Sequence, residues 1–137
     1  MDPVLVDSNV LLDIATNDRE WSGWSADALQ RAADESPLVI NPIIYAEISI
    51  GYSRIEDVEA VLPIRIFRRD RLPYEAGFLA GKAFLRYRRR GGKRRSPLPD
   101  FYIGAHAAVS KLRLLTRDGK RYQTYFPTVE LIQPIQP

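Results

Sequence analysis

Short apolar runs and longer stretches of helical spacing alternate along the chain. Val4-Leu5-Val6 reads as a buried strand ending at Asp7, followed by a turn at Ser8 and Asn9. A short helix then runs from Val10 to Thr16, and Asn17 and Asp18 break it. After a loop holding Trp21 and Trp24, which pack on a neighbouring element, Ser25 caps a helix running through Ala33. Ser36-Pro37 stops it ahead of a second strand, Leu38-Val39-Ile40. Asn41-Pro42 joins a good N-cap to the residue favoured at the first helical position, which predicts a helix from Pro42 to Gly51. On that helix Ile43, Ala46, Glu47 and Ile50 share one face.

The same pattern continues to the C-terminus. Arg54 to Leu62 reads as a helix with Ile55, Val58, Val61 and Leu62 on its apolar side, and Ile64 to Phe67 as a third strand. A long helix from Pro73 to Arg90 carries Tyr74, Phe78, Ala80, Leu85 and Tyr87, and Gly91-Gly92 ends it. The next helix covers Asp100 to Lys111, where Gly104, Ala105, Ala107 and Ala108 allow close approach to a sheet. Leu114-Leu115-Thr116 is a further strand, Tyr122 to Phe126 a turn of helix or loop, and Val129 to Ile132 an edge strand before a loose Pro-containing tail. Strands alternating with helices imply an α/β fold with a parallel sheet covered on both faces.

Four acids share one structural logic in this frame. Asp7 ends the first strand, Glu47 sits on an apolar helix face, Asp100 opens a helix and Asp118 follows a strand end. Ligands of parallel α/β sheets bind outside the carboxyl ends of the strands. Each acid also has a simpler reading. Asp7 can cap a helix, Glu47 can pair with an arginine, and Asp118-Gly119 is a standard turn pair. Together the four would repel one another, and a hard cation, Mg²⁺ or Mn²⁺, relieves that repulsion through oxygen ligands. Asp7 and Asp100 are first choices as direct ligands, with Glu47 and Asp118 binding directly or through water. Asn9 and Thr116 are placed to orient the acids. With no cysteine and a single histidine, a zinc site is disfavoured. His106, well inside a helix, reads as a packing residue, Glu75 as a first-turn acid, and Asp13 has no assigned role.

Composition sharpens the chemistry. The 137 residues fit one domain, and the net charge is only +3. Its distribution is uneven, because Arg86, Arg88, Arg89, Arg90, Lys93, Arg94 and Arg95 fall in one segment. Such a run is either a solvated face or a track for RNA phosphates, with Tyr87 or Tyr102 available to stack on a base; a third use is to bind an acidic partner segment. No apolar run approaches the ~20 residues of a membrane span and no signal peptide is evident, so a cytoplasmic location is expected.

Carboxylates beside a basic segment point to phosphoryl chemistry. Asp7-Ser8-Asn9-Val10-Leu11-Leu12-Asp13, Tyr45-Ala46-Glu47, Pro99-Asp100-Phe101-Tyr102-Ile103-Gly104-Ala105-His106-Ala107 and Leu115-Thr116-Arg117-Asp118 occur in that order. These blocks, with Tyr122 to Pro127 and Leu131-Ile132, resemble the signature of PIN-domain ribonucleases of the VapC toxin type over nearly the whole chain. The resemblance implies a single three-layer PIN-like domain over 1–137, with a central parallel sheet of about five strands. It implies Mg²⁺- or Mn²⁺-dependent RNA cleavage in which an activated water leaves a 5′-phosphate and a 3′-hydroxyl. A homodimer and inhibition by a cognate VapB-like antitoxin are implied as well. The basic insertion before Asp100 is less typical of the family.

Two other classes compete. A receiver-type signalling domain also gathers acids around Mg²⁺, but it needs a phospho-accepting Asp at a mid-chain strand end and a Lys after a late strand. Here Arg68-Arg69-Asp70 follows the middle strand, and no Lys follows the last. A non-catalytic RNA-binding protein using the basic segment is the other alternative.

Overall fold

A computed structural model describes residues 2–95 and 97–135. Ser96 of the basic loop and residues 136–137 of the tail lie outside the described residues. The elements are β1 (Val4–Val6), α1 (Ser8–Ala15), α2 (Ser22–Glu35), β2 (Leu38–Ile40), α3 (Pro42–Ser49) and α4 (Ile55–Val61). They continue with β3 (Phe67–Arg69), α5 (Tyr74–Arg89), α6 (Pro99–Ser110), β4 (Arg113–Leu115), α7 (Lys120–Tyr125) and β5 (Leu131–Ile132).

All pairings are parallel, in the order β3-β2-β1-β4-β5. Val4, Leu5 and Val6 of the central strand are each 0% exposed. Successive strand residues point to opposite faces, so both faces of the sheet are covered. The chain leaves β1 toward β2 and β3, then returns to place β4 on the other side of β1. That reversal opens a crevice beyond the carboxyl ends of β1 and β4, where open α/β sheets bind ligands. The order also differs from the 2-1-3-4-5 arrangement of receiver domains, which removes that alternative.

Several elements depart from the pattern-based expectations. Helix α2 begins at Ser22, so Ser25 lies inside it rather than capping it. Ser25 instead donates to Asp13 Oδ2 at 2.9 Å. On α3 the buried stripe is Ile44 and Ile48, while Ala46 and Ile50 are exposed and Glu47 is half-buried at its margin. The inward face is thus rotated by one residue, about 100°. Asn41 fixes that rotation, because its side chain accepts from Ile44 N at 2.9 Å. Strand β3 starts later than expected: the Pro63 carbonyl accepts from both Ile66 N and Phe67 N, which leaves Ile64 and Ile66 exposed in a turn. Ile55 and Val61 of α4 are also exposed, and only Val58 of that helix is buried.

Helix α5 turns Ala76, Ala80 and Ala83 inward, each 0% exposed, and leaves Tyr74 and Phe78 to solvent. Small residues on that face let α5 lie close against α6. On α6, Gly104 meets the Phe126 ring so closely that no Cβ fits there. This contact seats α6, and with it Asp100, against the chain that follows α7.

Candidate active site

The site grows from the end of β1. Asp7 N donates to Leu115 O at 2.9 Å, which extends the β1–β4 ladder by one residue and fixes the backbone of the acid. Asp7 stands at the N-cap of α1, yet its side chain makes no capping hydrogen bond. The carboxylate points elsewhere: Asp7 Oδ2 accepts from Thr116 Oγ1 and from the Tyr122 hydroxyl, each at 2.9 Å. Asp7 Oδ1 has only a 3.5 Å contact from Ser8 Oγ. Ser8 has one hydroxyl proton, and its 2.7 Å bond to Glu47 Oε1 is the shorter claim on it. One oxygen of Asp7 is therefore fixed and the other is left for a ligand, while Ser8 draws Glu47 of α3 toward the end of β1.

Thr116 works as a relay. It accepts from Asn9 Nδ2 at 3.1 Å and from Asp118 N at 3.2 Å, which leaves its proton for Asp7. Asn9 Oδ1 accepts in turn from Arg117 N at 3.3 Å. Asn9 and Thr116 thus tie the loop after β4 to α1; of the two, Thr116 bonds Asp7 directly, and Asn9 acts through Thr116 and the Arg117 backbone. Asp118 itself is exposed and directly precedes Gly119, the N-cap of α7, so turn geometry and a place beside the acids coincide. Asp100, in the first turn of α6, is half-buried, and Arg121 stands 3.5 Å from its Oδ2.

The electrostatics identify which acids feel one another. Burial pushes Asp7 up to about 6, opposed by the Tyr122 and Thr116 hydrogen bonds and reinforced by the charges of Asp100 and Glu47. Glu47 is raised by burial and by Asp100, against the Ser8 hydrogen bond. Asp100 is raised mainly by burial and also by Asp118, while Arg121 opposes both. Tyr122, buried beside these carboxylates, is held well above its ordinary value and stays a protonated donor.

Among the described residues, no three acids are close enough to form a closed cation cage. Asp7 and Glu47 are linked through Ser8, and Asp100 and Asp118 sit around them at electrostatic range. The donor set is all carboxylate oxygen, with one Asp7 oxygen free. That fits a hard cation that keeps part of its water, as Mg²⁺ does, and does not fit a soft or tetrahedral ion.

Other residues separate from this centre. Asp13 is buried and paired with Arg117 Nε at 2.7 Å and with Ser25, while the Arg117 guanidinium lies 5.6 Å from the Trp21 ring centroid. Asp13 therefore holds the loop after β4 against α1 and α2. His106 is buried, and burial lowers its pKa; Asn41 Nδ2 lies 2.9 Å from its Nδ1. Because Asn41 Oδ1 already accepts from Ile44 N, Nδ2 is the donor and His106 is the neutral tautomer protonated at Nε2. It is a packing residue, as expected. A wide apolar cleft of about 800 Å³ lies between α3, α4 and β3, lined by Ile40, Pro42, Tyr45 and Ile55, and none of the four acids lines it. Three contributors went unassigned in the sequence analysis. Tyr122 and Arg121 lie on a helix too short to show a pattern, and Ser8 reads as a plain turn residue.

Comparison with known proteins gives a consistent picture. The model of the PIN domain family matches residues 4–127. No curated protein matches the sequence. Among solved structures, VapBC-1 from nontypeable Haemophilus influenzae is similar at a TM-score of 0.72 and 18% identity, over 96% of this chain and 97% of that one. VapBC2 from Rickettsia felis, bound to a DNA fragment from their promoter, is similar at 0.71 and 16%, over 96% and 98%. A toxin–antitoxin complex from Klebsiella pneumoniae is similar at 0.69 and 21%, over 98% and 99%. At these identities the likeness is one of fold.

Proposed function

The chain belongs to the PIN-domain family, and we propose that within it this protein is a VapC-like endoribonuclease toxin that depends on Mg²⁺ or Mn²⁺. The observation that carries the reading is Asp7: buried, with Oδ2 fixed by Thr116 and Tyr122, and Oδ1 left beside Glu47. Asp7 and Asp100 are the proposed direct metal ligands, and Glu47 and Asp118 complete the set directly or through water. The bound ion would supply Lewis acidity, lowering the pKa of an attacking water and neutralising charge on the phosphate.

The chain's own residues do the positioning. Tyr122 and Thr116 keep Asp7 Oδ2 occupied, so the carboxylate cannot swing. Ser8 holds Glu47 at the margin of the crevice, and Asn9 ties the Asp118 loop to α1. Water is the nucleophile, with no covalent intermediate and products ending in a 5′-phosphate and a 3′-hydroxyl. The similar complexes support a VapB-like antitoxin partner; a homodimer, an RNA substrate and a cytoplasmic location are further parts of the same proposal.

The test is direct. The purified chain, freed of any antitoxin, is incubated with RNA and Mg²⁺ or Mn²⁺, and the new RNA ends are sequenced. Cleavage should stop on chelation and in the Asp7→Asn variant. A folded Asp7→Asn variant that cuts RNA as fast as wild type would falsify the proposal. RNA binding without turnover in any divalent cation would instead leave a non-catalytic binding protein.

A further inference from the structure

The segment between Glu75 and Asp100 holds eight Lys or Arg and no acid. The rest of the chain has 12 basic residues (20 less these 8) against 17 acidic, so it is net negative by five. The positive charge of this protein therefore resides in the end of α5 and the loop after it.

The structure shows why that charge is not merely dispersed. Gly91, at φ +93°, turns the chain back at the end of α5, and Gly92 packs directly on the Tyr87 ring while its N–H bonds Tyr87 O at 3.0 Å. Arg88 donates to the Arg94 carbonyl, and Arg86 donates to Tyr125 O at 2.9 Å. The Arg90 guanidinium lies 5.6 Å from the Tyr125 ring centroid. Among the described residues, no cation from Arg86 to Arg95 forms an ion pair with an acid. These contacts hold the backbone of the loop and leave its charges unneutralised.

The same aromatic cluster reaches the acids. Tyr87 packs with Phe101 at 5.6 Å and with Tyr125 at 6.4 Å between ring centroids. Arg121 lies over Tyr87 and Phe101 at 5.8 and 5.6 Å and stands beside Asp100. Two guanidinium groups, Arg121 beside Asp100 and Arg90 next to the turn at Gly91, thus lie on one aromatic cluster that links the rim of the carboxylate centre to the basic segment.

We propose that the end of α5 and the loop residues from Gly91 to Arg95, with Arg121 at the inner end, form a track for the backbone of a single RNA strand flanking the cleaved bond. The carboxylates alone would repel an RNA phosphate, and the cations from Arg86 to Arg95, none of them paired with an acid among the described residues, offset that repulsion, while Arg121 stands beside Asp100 at the inner end. The choice of RNA rests on the ribonuclease reading; the binding readout does not depend on cleavage.

The test uses the Asp7→Asn chain, so that substrate survives, and a fluorescently labelled single-stranded RNA followed by anisotropy between about 50 and 200 mM salt. Arg89, Lys93 and Arg94 are changed together to Gln. A matched control changes Arg19, Arg31 and Arg65, which are exposed and remote from the segment in sequence, to Gln. The loop variant should bind at least about tenfold more weakly near 100 mM salt, and its log–log salt slope should be smaller by about 2, from roughly 0.7 per phosphate contact. The control should change far less. Equal losses in the two variants would reduce the effect to net charge and overturn the track. Undiminished binding by the loop variant would overturn it too. If poly-glutamate displaced the RNA at equal charge concentration, the segment would be assigned to an acidic protein partner instead. Failure of wild type to cleave any RNA would sink the nuclease reading, while this binding result would stand or fall separately.

Discussion

The carboxylate centre and the basic segment are opposite solutions to placing charge. The acids are spread from Asp7 to Asp118 and meet only because β1 pairs with β4 and α3 and α6 pack nearby. Asp7 is fixed by hydrogen bonds from residues more than one hundred positions away, Thr116 and Tyr122, and Glu47 by Ser8 of another helix. The basic residues are nearly contiguous and exposed, and Arg86, Arg88 and Arg90 are tied down through backbone carbonyls and a ring. A buried charge is costly and must be fixed by partners, so the acid centre is brittle. An exposed charge is cheap to hold and contributes additively, so the basic segment is tolerant. Single substitutions in the two regions should therefore differ sharply in effect.

The largest difference is expected at Asp7. Asp7→Asn keeps the size of the side chain and removes the charge, and RNA cleavage should fall on the order of a thousandfold, as for loss of a group acting on transition-state charge. A loss under tenfold, measured as kcat/KM with the fold intact by circular dichroism, would erase the contrast between the regions.

The same substitution should stabilise the metal-free protein. Asp7 is held at about 6, against 3.8 for the free side chain. Between those values the folded chain binds a proton that the unfolded chain does not, so stability falls as pH rises from about 4 to 6 and is flat above. The full cost at pH 7 is at most about 3 kcal/mol. In chelator, urea titrations of Asp7→Asn should show a higher midpoint than wild type at pH 7, with the advantage vanishing near pH 4. An equal pH slope in both proteins would place the titrating group elsewhere.

Tyr122→Phe comes next. It removes one of two donors to Asp7 Oδ2 and leaves Thr116 in place. Metal affinity or kcat should drop about 10- to 100-fold, the usual range for partners that orient a ligand. The KM for RNA should stay near wild type. A double-mutant cycle with Thr116→Val should show coupling, since both hydroxyls hold the same oxygen.

The smallest effect is expected for Arg89→Gln alone. One phosphate contact among several should cost only a few-fold in RNA affinity at ~100 mM salt, and nothing detectable in urea stability. A loss comparable to that at Tyr122 would mean that Arg89 makes a specific contact, and the segment would no longer be the tolerant region.

Much was legible before any tertiary information. The apolar runs at Val4–Val6, Leu38–Ile40 and Leu114–Leu115 are too continuous for half-exposed strands, so a parallel sheet buried on both faces follows from the pattern. Asn41-Pro42 marks a helix start, and Asn41 caps Ile44 as that pair requires. Gly91 ends α5 because only a residue tolerant of positive φ turns the chain there. Local chemistry is sufficient in each case.

The sequence by itself determined the inventory: an alternating α/β chain, four acids near strand and helix ends, and all the excess positive charge in one run. Only the tertiary structure decided which atoms meet. Periodicity located the helix carrying Glu47 but not its rotation, which the Asn41 cap and the packing of Ile44 and Ile48 set. Asp7 could have capped α1, and Asp13 could have lain on the surface. Pairing of β1 with β4 brought Thr116 and Tyr122 to the first and Arg117 to the second. The reason is that helix and turn signals act over a few residues, whereas the partners of a buried carboxylate are chosen by strand order and side-chain packing.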